Sequence, residues 1–249
     1  MPLTPCSKFA AGERPHTLPL HGYFVTATGT DVGKTFITAL LVKKWRNSGI
    51  DAGYYKAALS GAELRNGQWI AGDADYVKRI AGLPDTQDEL VSYIYKEAVS
   101  PHLAARKEGN PVELSKVEAD FNATCARHKF VFVEGSGGII CPIRDDVDSS
   151  GNPAPNGKTL FLEDIMKTVN LPLLIVTTAA LGSINACVLT VEYAKSRGLN
   201  IRGIIVNRYG ESKNLEMEDD NIRMMQKLTG LEILAKVKPG DSDLGVEPF

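Results

Sequence analysis

The sequence predicts an α/β fold, a mostly parallel twisted sheet flanked by helices on both faces, and three observations carry that expectation. Short apolar runs rich in β-branched and aromatic residues alternate with stretches of helical periodicity, as in βαβ units joined by right-handed crossovers. The runs "KFVFVE", "LPLLIVTTA" and "IRGIIVN" are nearly continuous in apolar character, which fits strands buried on both faces of a parallel sheet. At 249 residues and 43% apolar, the chain is long enough for one large domain with a full core.

The elements follow in order. Residues 1–20, "MPLTPCSKFAAGERPHTLPL", lack the apolar stretch of a secretory signal and read as a flexible leader, with an organelle-targeting segment as the alternative. The domain proper is then 21–249. "GYFVTA" is its first strand, and Ile37, Leu40, Leu41 and Trp45 line one side of the following helix, which Gly49 ends. "DAGYYKA" is a weaker strand. Helical patterns cover residues 73–81, 114–128, 183–197 and 216–228, and "EILAKV" closes the sheet. Residues 145–159, "DDVDSSGNPAPNGKT", are polar and rich in turn formers. They read as a long mobile loop, either a lid or an inert insertion.

Composition narrows the partners. A net charge of −2 with both signs dispersed supplies no basic field for nucleic acid and no polybasic run for a membrane. No apolar stretch approaches the length of a membrane span. Cys6, Cys125, Cys141 and Cys187 are scattered without a C-x-x-C, so neither zinc nor a disulfide framework is indicated, and a reducing, cytoplasmic setting is expected.

The run "FVTATGTDVGKT", residues 24–35, joins the first strand to the first helix. The regular phosphate-binding pattern G-x-x-x-x-G-K-[ST] asks for glycine where this chain has Thr28; Gly29 and Ala27 flank that place. Strand, glycine-containing loop and helix opening at Gly33 or Lys34 nevertheless form the setting of a P-loop, and the fold is expected to be of P-loop NTPase type. In that setting the loop N–H groups and the helix N-terminus face an anion. Lys34 adds positive charge near the β- and γ-phosphates, and the Thr35 hydroxyl can ligate Mg²⁺.

A nucleotide–magnesium site needs further hard oxygen ligands. Glu134 ends an apolar strand and precedes Gly135, Ser136, Gly137 and Gly138, which permit close approach. Asp73 fits either a ligand or a helix N-cap, and Asp75 a first-turn charge favourable to the helix dipole. Lys56, near the end of the second strand, is placed to reach the crevice of Lys34. His102 has no nucleophile partner in a motif and reads as structural.

Seven segments in order, "FVTATGTDVGKT", "YYKAALSG", "GDAD", "SPHLAARKEG", "FVEGSGG", "LGSINACVLT" and "IVNRYG", resemble the ATP-dependent dethiobiotin synthetase family over about residues 22–240. The resemblance implies a homodimeric ligase using ATP, Mg²⁺, CO₂ and 7,8-diaminononanoate to close the ureido ring of dethiobiotin through a carbamate and a carbamic-phosphoric anhydride. It further implies Asp31, Val32, Gly33, Lys34, Thr35 and Phe36 at the phosphates, and Thr35, Asp73 and Glu134 at Mg²⁺. Lys34 and Lys56 would be catalytic. Glu134, Gly135, Ser136 and Gly137 would line phosphates and substrate, and Ser60 would lie by the diamine. Asn207 would read the adenine edge, and Gly182, Ser183 and Asn185 would reach the substrate carboxylate across the dimer.

The chain departs from that family's pattern at Ala27, where the longer loop usually starts with glycine, and at Ala57, which usually is proline. "KVKPGDSD" matches the adenine loop only loosely, and 145–159 is longer than in compact members. The alternative reading is a partitioning-type P-loop ATPase switch. Such switches typically carry an extra lysine near the loop start, where this chain has Thr26, Ala27 and Thr28.

Overall fold

The computed structural model describes residues 22–148 and 150–249; the leader expected at 1–20 lies outside the described residues. The chain enters the sheet at β1 (Gly22–Ala27) and leaves it through α1 (Lys34–Asn47). It returns in β2 (Ala52–Ser60), turns in a small hairpin, β3 (Glu63–Arg65) and β4 (Gln68–Ile70), and crosses back through α2 (Gly72–Ala81) and α3 (Gln87–Leu90) to β5 (Val91–Tyr95). Helices α4 (Pro101–Glu108) and α5 (Leu114–Arg127) lead to β6 (Phe130–Glu134). A second hairpin, β7 (Pro142–Asp145) and β8 (Thr159–Phe161), precedes α6 (Leu162–Val169). The chain then completes β9 (Leu173–Thr178), α7 (Ser183–Ser196), β10 (Ile201–Asn207), α8 (Leu215–Thr229) and β11 (Ile233–Lys236).

Seven strands form one sheet in the order β11-β10-β9-β1-β6-β2-β5, and every neighbouring pair is parallel. Side chains alternate between the faces. Tyr23, Val25, Leu174 and Val176 pack under α1 and α2, with Ile37, Leu41, Trp45 and Val77. Phe24, Leu173 and Val131 pack on the opposite face against α5 and α6, through Val117, Phe121, Ile165 and Met166. Helices α7 and α8 extend that second layer over Ile175, Ile204 and Val206. Among the described residues no helix is long and apolar enough to cross a membrane.

Strand β1 is central, with β6 on one side and β9 on the other. The chain builds the sheet outward from it in both directions, and a crevice beyond the carboxyl ends of the strands at such a reversal is the usual ligand position in open α/β sheets.

One sequence expectation changes here. "DAGYYKA" is no weak strand: β2 runs nine residues and is buried along nearly all of them. The described residues of 145–159 carry hydrogen-bonded structure of their own. They form the turn of the β7–β8 hairpin, with Asp146 N donating to Lys158 O at 3.0 Å, Ala154 N to Asp146 O at 3.0 Å and Asp148 N to Asn152 O at 2.8 Å. Arg144 Nη2 anchors this turn to Asp146 Oδ2 at 2.6 Å, and Lys158 Nζ donates to Glu113 Oε2 at 2.9 Å.

At the opposite end of the sheet, His128 Nδ1 lies 3.0 Å from Asp51 Oδ1 and its Nε2 3.0 Å from Asp85 Oδ1, while Arg127 Nε donates to Asp85 Oδ1 at 3.1 Å. The ring lies against Gly53, where a Cβ would be 2.3 Å from His128 Cδ2. Burial alone would raise the Asp85 pKa, but the bonds and charge of His128, with the bond from Arg127, outweigh it and hold the carboxyl below its ordinary value. Such a depressed carboxylate stabilises the fold fully above its unfolded-state pKa, and that contribution is lost as pH falls through the lower folded value. Asp85→Asn therefore lowers unfolding free energy by about 3 kcal/mol near neutrality. In urea titrations its difference from the parent chain shrinks once the pH drops below about 4.

Candidate active site

The carboxyl ends of β1, β2 and β6 open into a cleft of about 1420 Å³. Its floor is the loop after β1. No side chain caps α1 and no acid stands in its first turn, so the N–H groups of that turn, which have no intrahelical partner, face the cleft. Gly33 holds φ 92°, and a Cβ there would lie 2.1 Å from Asn207 Nδ2; conformation and space both require glycine. Asn207 Nδ2 donates to Val32 O at 2.9 Å, and Arg208 Nη2 to Asp31 O at 3.0 Å. The end of β10 thus braces the loop through its carbonyls, with Arg208 also lining the cleft. Ala27 ends β1, fully buried and outside the positive-φ region, so the backbone at that place does not require glycine.

Lys34 is 8% exposed and donates to Gly29 O at 3.3 Å. Burial and the neighbouring positive charge of Lys56 lower its pKa. Lys56 is 3% exposed, and its ammonium donates to Asp73 Oδ2 at 2.7 Å and Glu134 Oε1 at 2.8 Å. Desolvation opposes its charge, but the two carboxylates outweigh desolvation and push its pKa above the ordinary lysine value. Strand register supplies the pairing, since Lys56 and Glu134 are direct neighbours across β2 and β6. Asp73 is no N-cap, because that place is held by Ala71; its carboxylate is turned to Lys56 instead. Burial would raise the Asp73 pKa, but the charge and bond of Lys56, the bond from Thr35 and the charge of Lys34 together outweigh it and hold the carboxyl below its ordinary value.

Glu134 is the hub. Its Oε1 also accepts from Thr35 Oγ1 at 2.8 Å, and its Oε2 from Tyr54 Oη at 3.1 Å. Thr35, Asp73 and Glu134 therefore bring hard oxygen atoms from three elements around one point, the donor chemistry Mg²⁺ takes when phosphates and waters complete its shell. Among the described residues no cluster of three or more His, Cys, Asp or Glu could hold a metal unaided.

Asp31, Gly33, Lys34, Thr35, Phe36, Lys56, Ser60, Asp73, Glu134, Ser136 and Gly137 all line the cleft. Val32 and Gly135 lie just behind it: Val32 packs on the core, and a Cβ on Gly135 would be 3.0 Å from Phe24 and Leu162. Asn207 stands behind the loop, where its Nδ2 is engaged by Val32 O. Gly182, Ser183 and Asn185 are not among the cleft residues. They open α7 beyond β9, with Gly182 at its N-cap and Ser183 Oγ buried without a partner. Among the described residues of 145–159, none lines the cleft.

Sequence reasoning missed Tyr54, Cys141, Arg208 and the β3–β4 hairpin with Arg65. Two of these carried some signal. Tyr54 precedes Lys56 by two residues, so in a strand both point to one face. Asn66-Gly67, with φ 50° and 78°, is a hairpin turn signal. Cys141 is a buried thiol whose pKa burial pushes up to about 11, and nothing in its sequence surroundings marks it.

A central parallel sheet, a phosphate-type loop and a cation–carboxylate cluster at its mouth define a P-loop nucleotide-binding protein. A family model described as an AAA domain matches residues 21–245. The ATP-dependent dethiobiotin synthetase BioD of Clostridium botulinum strain Eklund 17B is 46% identical over 212 residues, 85% of this chain and 88% of the relative. That of Brachyspira hyodysenteriae is 47% identical over 218 residues, 87% and 91% of the two chains. The chain belongs to the ATP-dependent dethiobiotin synthetase family.

Among solved structures, the septum site-determining protein MinD of Pyrococcus horikoshii, complexed with Mg-ADP, superposes with TM-score 0.50 at 16% identity, covering 87% of this chain and 81% of that one. The cell division protein FtsY of Thermotoga maritima gives 0.50 at 15%, covering 98% and 70%. At that identity the likeness is one of fold. Since Gly33 admits no Cβ, Gly33→Ala weakens ADP binding at least tenfold by calorimetry while the far-ultraviolet circular dichroism of the fold is retained.

Proposed function

We infer that this protein is an ATP-dependent ligase that closes the ureido ring of dethiobiotin from 7,8-diaminononanoate and CO₂. Family membership supports the reaction, and one observation supports this cleft as its place: the Lys56 ammonium is held between Asp73 and Glu134 beside Lys34 and Thr35. The reaction must bring a carbamate and a triphosphate together, two anions that repel. The buried cations Lys34 and Lys56 offset that repulsion where water screens least.

One amine of the substrate adds to CO₂ and loses a proton, giving the carbamate. A carbamate oxygen then takes the γ-phosphoryl group and ADP departs. The second amine attacks the carbonyl carbon, phosphate leaves with the C–O electron pair, and the amine's proton is released as the ring closes. The chain's contribution is positioning and charge neutralisation, as in other phosphoryl transfers. The N–H groups from Gly33 to Phe36 receive the phosphates. Lys34 and Lys56 face the transferring group and the carbamate, with Ser60 and Ser136 toward the diamine side. Thr35, Asp73 and Glu134 would hold Mg²⁺, which when bound neutralises charge on the phosphate oxygens. Asn207 keeps its Oδ1 to accept from the adenine amino group.

Gly182, Ser183 and Asn185 stand outside the cleft of their own chain, and Leu181 beside them is 88% exposed. A role for them at the substrate carboxylate therefore requires a second copy, and the homodimer is part of the proposal.

Purified protein given ATP, Mg²⁺, bicarbonate and the diamine forms ADP only when the diamine is present; diamine-independent ADP release would count against the ligase. Lys34→Ala and Lys56→Ala each lower kcat by about 10²–10³-fold, and near-normal turnover in Lys56→Ala would remove it from the mechanism. Glu134→Gln raises the Mg²⁺ concentration needed for half-maximal activity, as an Mg²⁺ titration measures.

A further inference from the structure

Glu134 is buried, and its Oε1 is shared by Lys56 and Thr35, the two groups that face the nucleotide side. Its other oxygen points into the protein, where a single hydroxyl meets it: Tyr54 Oη donates to Oε2 at 3.1 Å. Tyr54 is fully buried and does not line the cleft. It lies on β2 two residues before Lys56, so strand alternation sends both side chains to the face on which Glu134 also projects from β6. One hydrogen bond on the inner oxygen fixes the plane of the carboxylate. With that plane fixed, Oε1 stays directed at the cleft when its partners there change.

We propose that Tyr54 is a positioning residue for this reaction: through its bond to Glu134 Oε2 it aims Glu134 Oε1 at the nucleotide-bound cation without touching nucleotide or substrate. The proposal rests on the reading of Glu134 as a Mg²⁺ ligand given above. Outer-shell partners of this kind are worth about 10–100-fold in metal affinity or activity. The neighbouring Tyr55 supplies an internal comparison. Its hydroxyl is 2.6 Å from Ser92 Oγ and donates to Val117 O at 3.2 Å on the other face of the sheet, away from Glu134.

The test is ADP binding to the full chain by calorimetry, with and without Mg²⁺, for the parent, Tyr54→Phe, Tyr55→Phe, Glu134→Gln and the Tyr54→Phe/Glu134→Gln pair. Tyr54→Phe keeps the ring that packs the core and removes only the hydroxyl. Expected are an unchanged affinity for ADP without Mg²⁺, about a tenfold rise in the Mg²⁺ concentration that half-tightens ADP binding, and no such rise in Tyr55→Phe. In turnover, kcat at fixed Mg²⁺ falls and recovers at high Mg²⁺, while KM for the diamine stays put. Because Tyr54 acts through Glu134, adding Tyr54→Phe to Glu134→Gln changes the Mg²⁺ requirement less than about twofold. A parent-like Mg²⁺ requirement in Tyr54→Phe, an equal rise in Tyr55→Phe, or a full additive effect on Glu134→Gln overturns the proposal. If Glu134→Gln itself leaves the Mg²⁺ requirement unmoved, the metal reading of Glu134 is what fails.

Discussion

An ammonium group taken out of water must meet opposite charge, and Lys56 is where that constraint bears on this protein. Its partners come from two other elements: Glu134 from the adjacent strand and Asp73 from the first turn of α2. Thr35 at the start of α1 joins through the same Glu134 oxygen. Removing one member of a buried pair costs about 3–5 kcal/mol, since the other is left uncompensated. The carboxyl ends of β2 and β6 and the N-terminal ends of α1 and α2 are therefore tied around one charge. The cleft has its shape because the electrostatics admit few alternatives.

The phosphate loop is fixed by a second, independent set of contacts. Its carbonyls at Asp31 and Val32 are taken by Arg208 and Asn207, at and just beyond the carboxyl end of β10. The absence of glycine at position 27 loses its importance in this geometry. The close contacts fall on Gly33 instead, whereas Ala27 is an ordinary buried strand end.

Much of this was legible in the sequence wherever burial was complete. β1, β6, β9 and β10 are central strands whose continuous apolar runs leave little room for another reading. The edge strand β5 was not seen, because one of its faces is less buried and its pattern alternates over only five residues. The hairpins β3–β4 and β7–β8 were missed for a similar reason, their strands being short and largely polar. At the site, Lys34, Thr35, Lys56, Asp73 and Glu134 were readable from motif context and do converge. Which of Asp73's two roles holds depends on the position of β2 relative to α2, a tertiary fact. Tyr54 acts through packing and hydrogen bonding alone, and no motif carries that.

The β7–β8 hairpin has a consequence for how this chain can vary. Its ladder and the Arg144–Asp146 pair close the base of residues 145–159 before they leave the body of the protein, and none of the described ones borders the cleft. With the ends already pinned, each doubling of such a loop costs only about 0.6 kcal/mol in closure entropy. Length can therefore be added or lost at this turn with little effect on stability and no displacement of the reacting groups. The segment is a place where the protein tolerates insertion, insulated from its chemistry by a few rungs of antiparallel pairing.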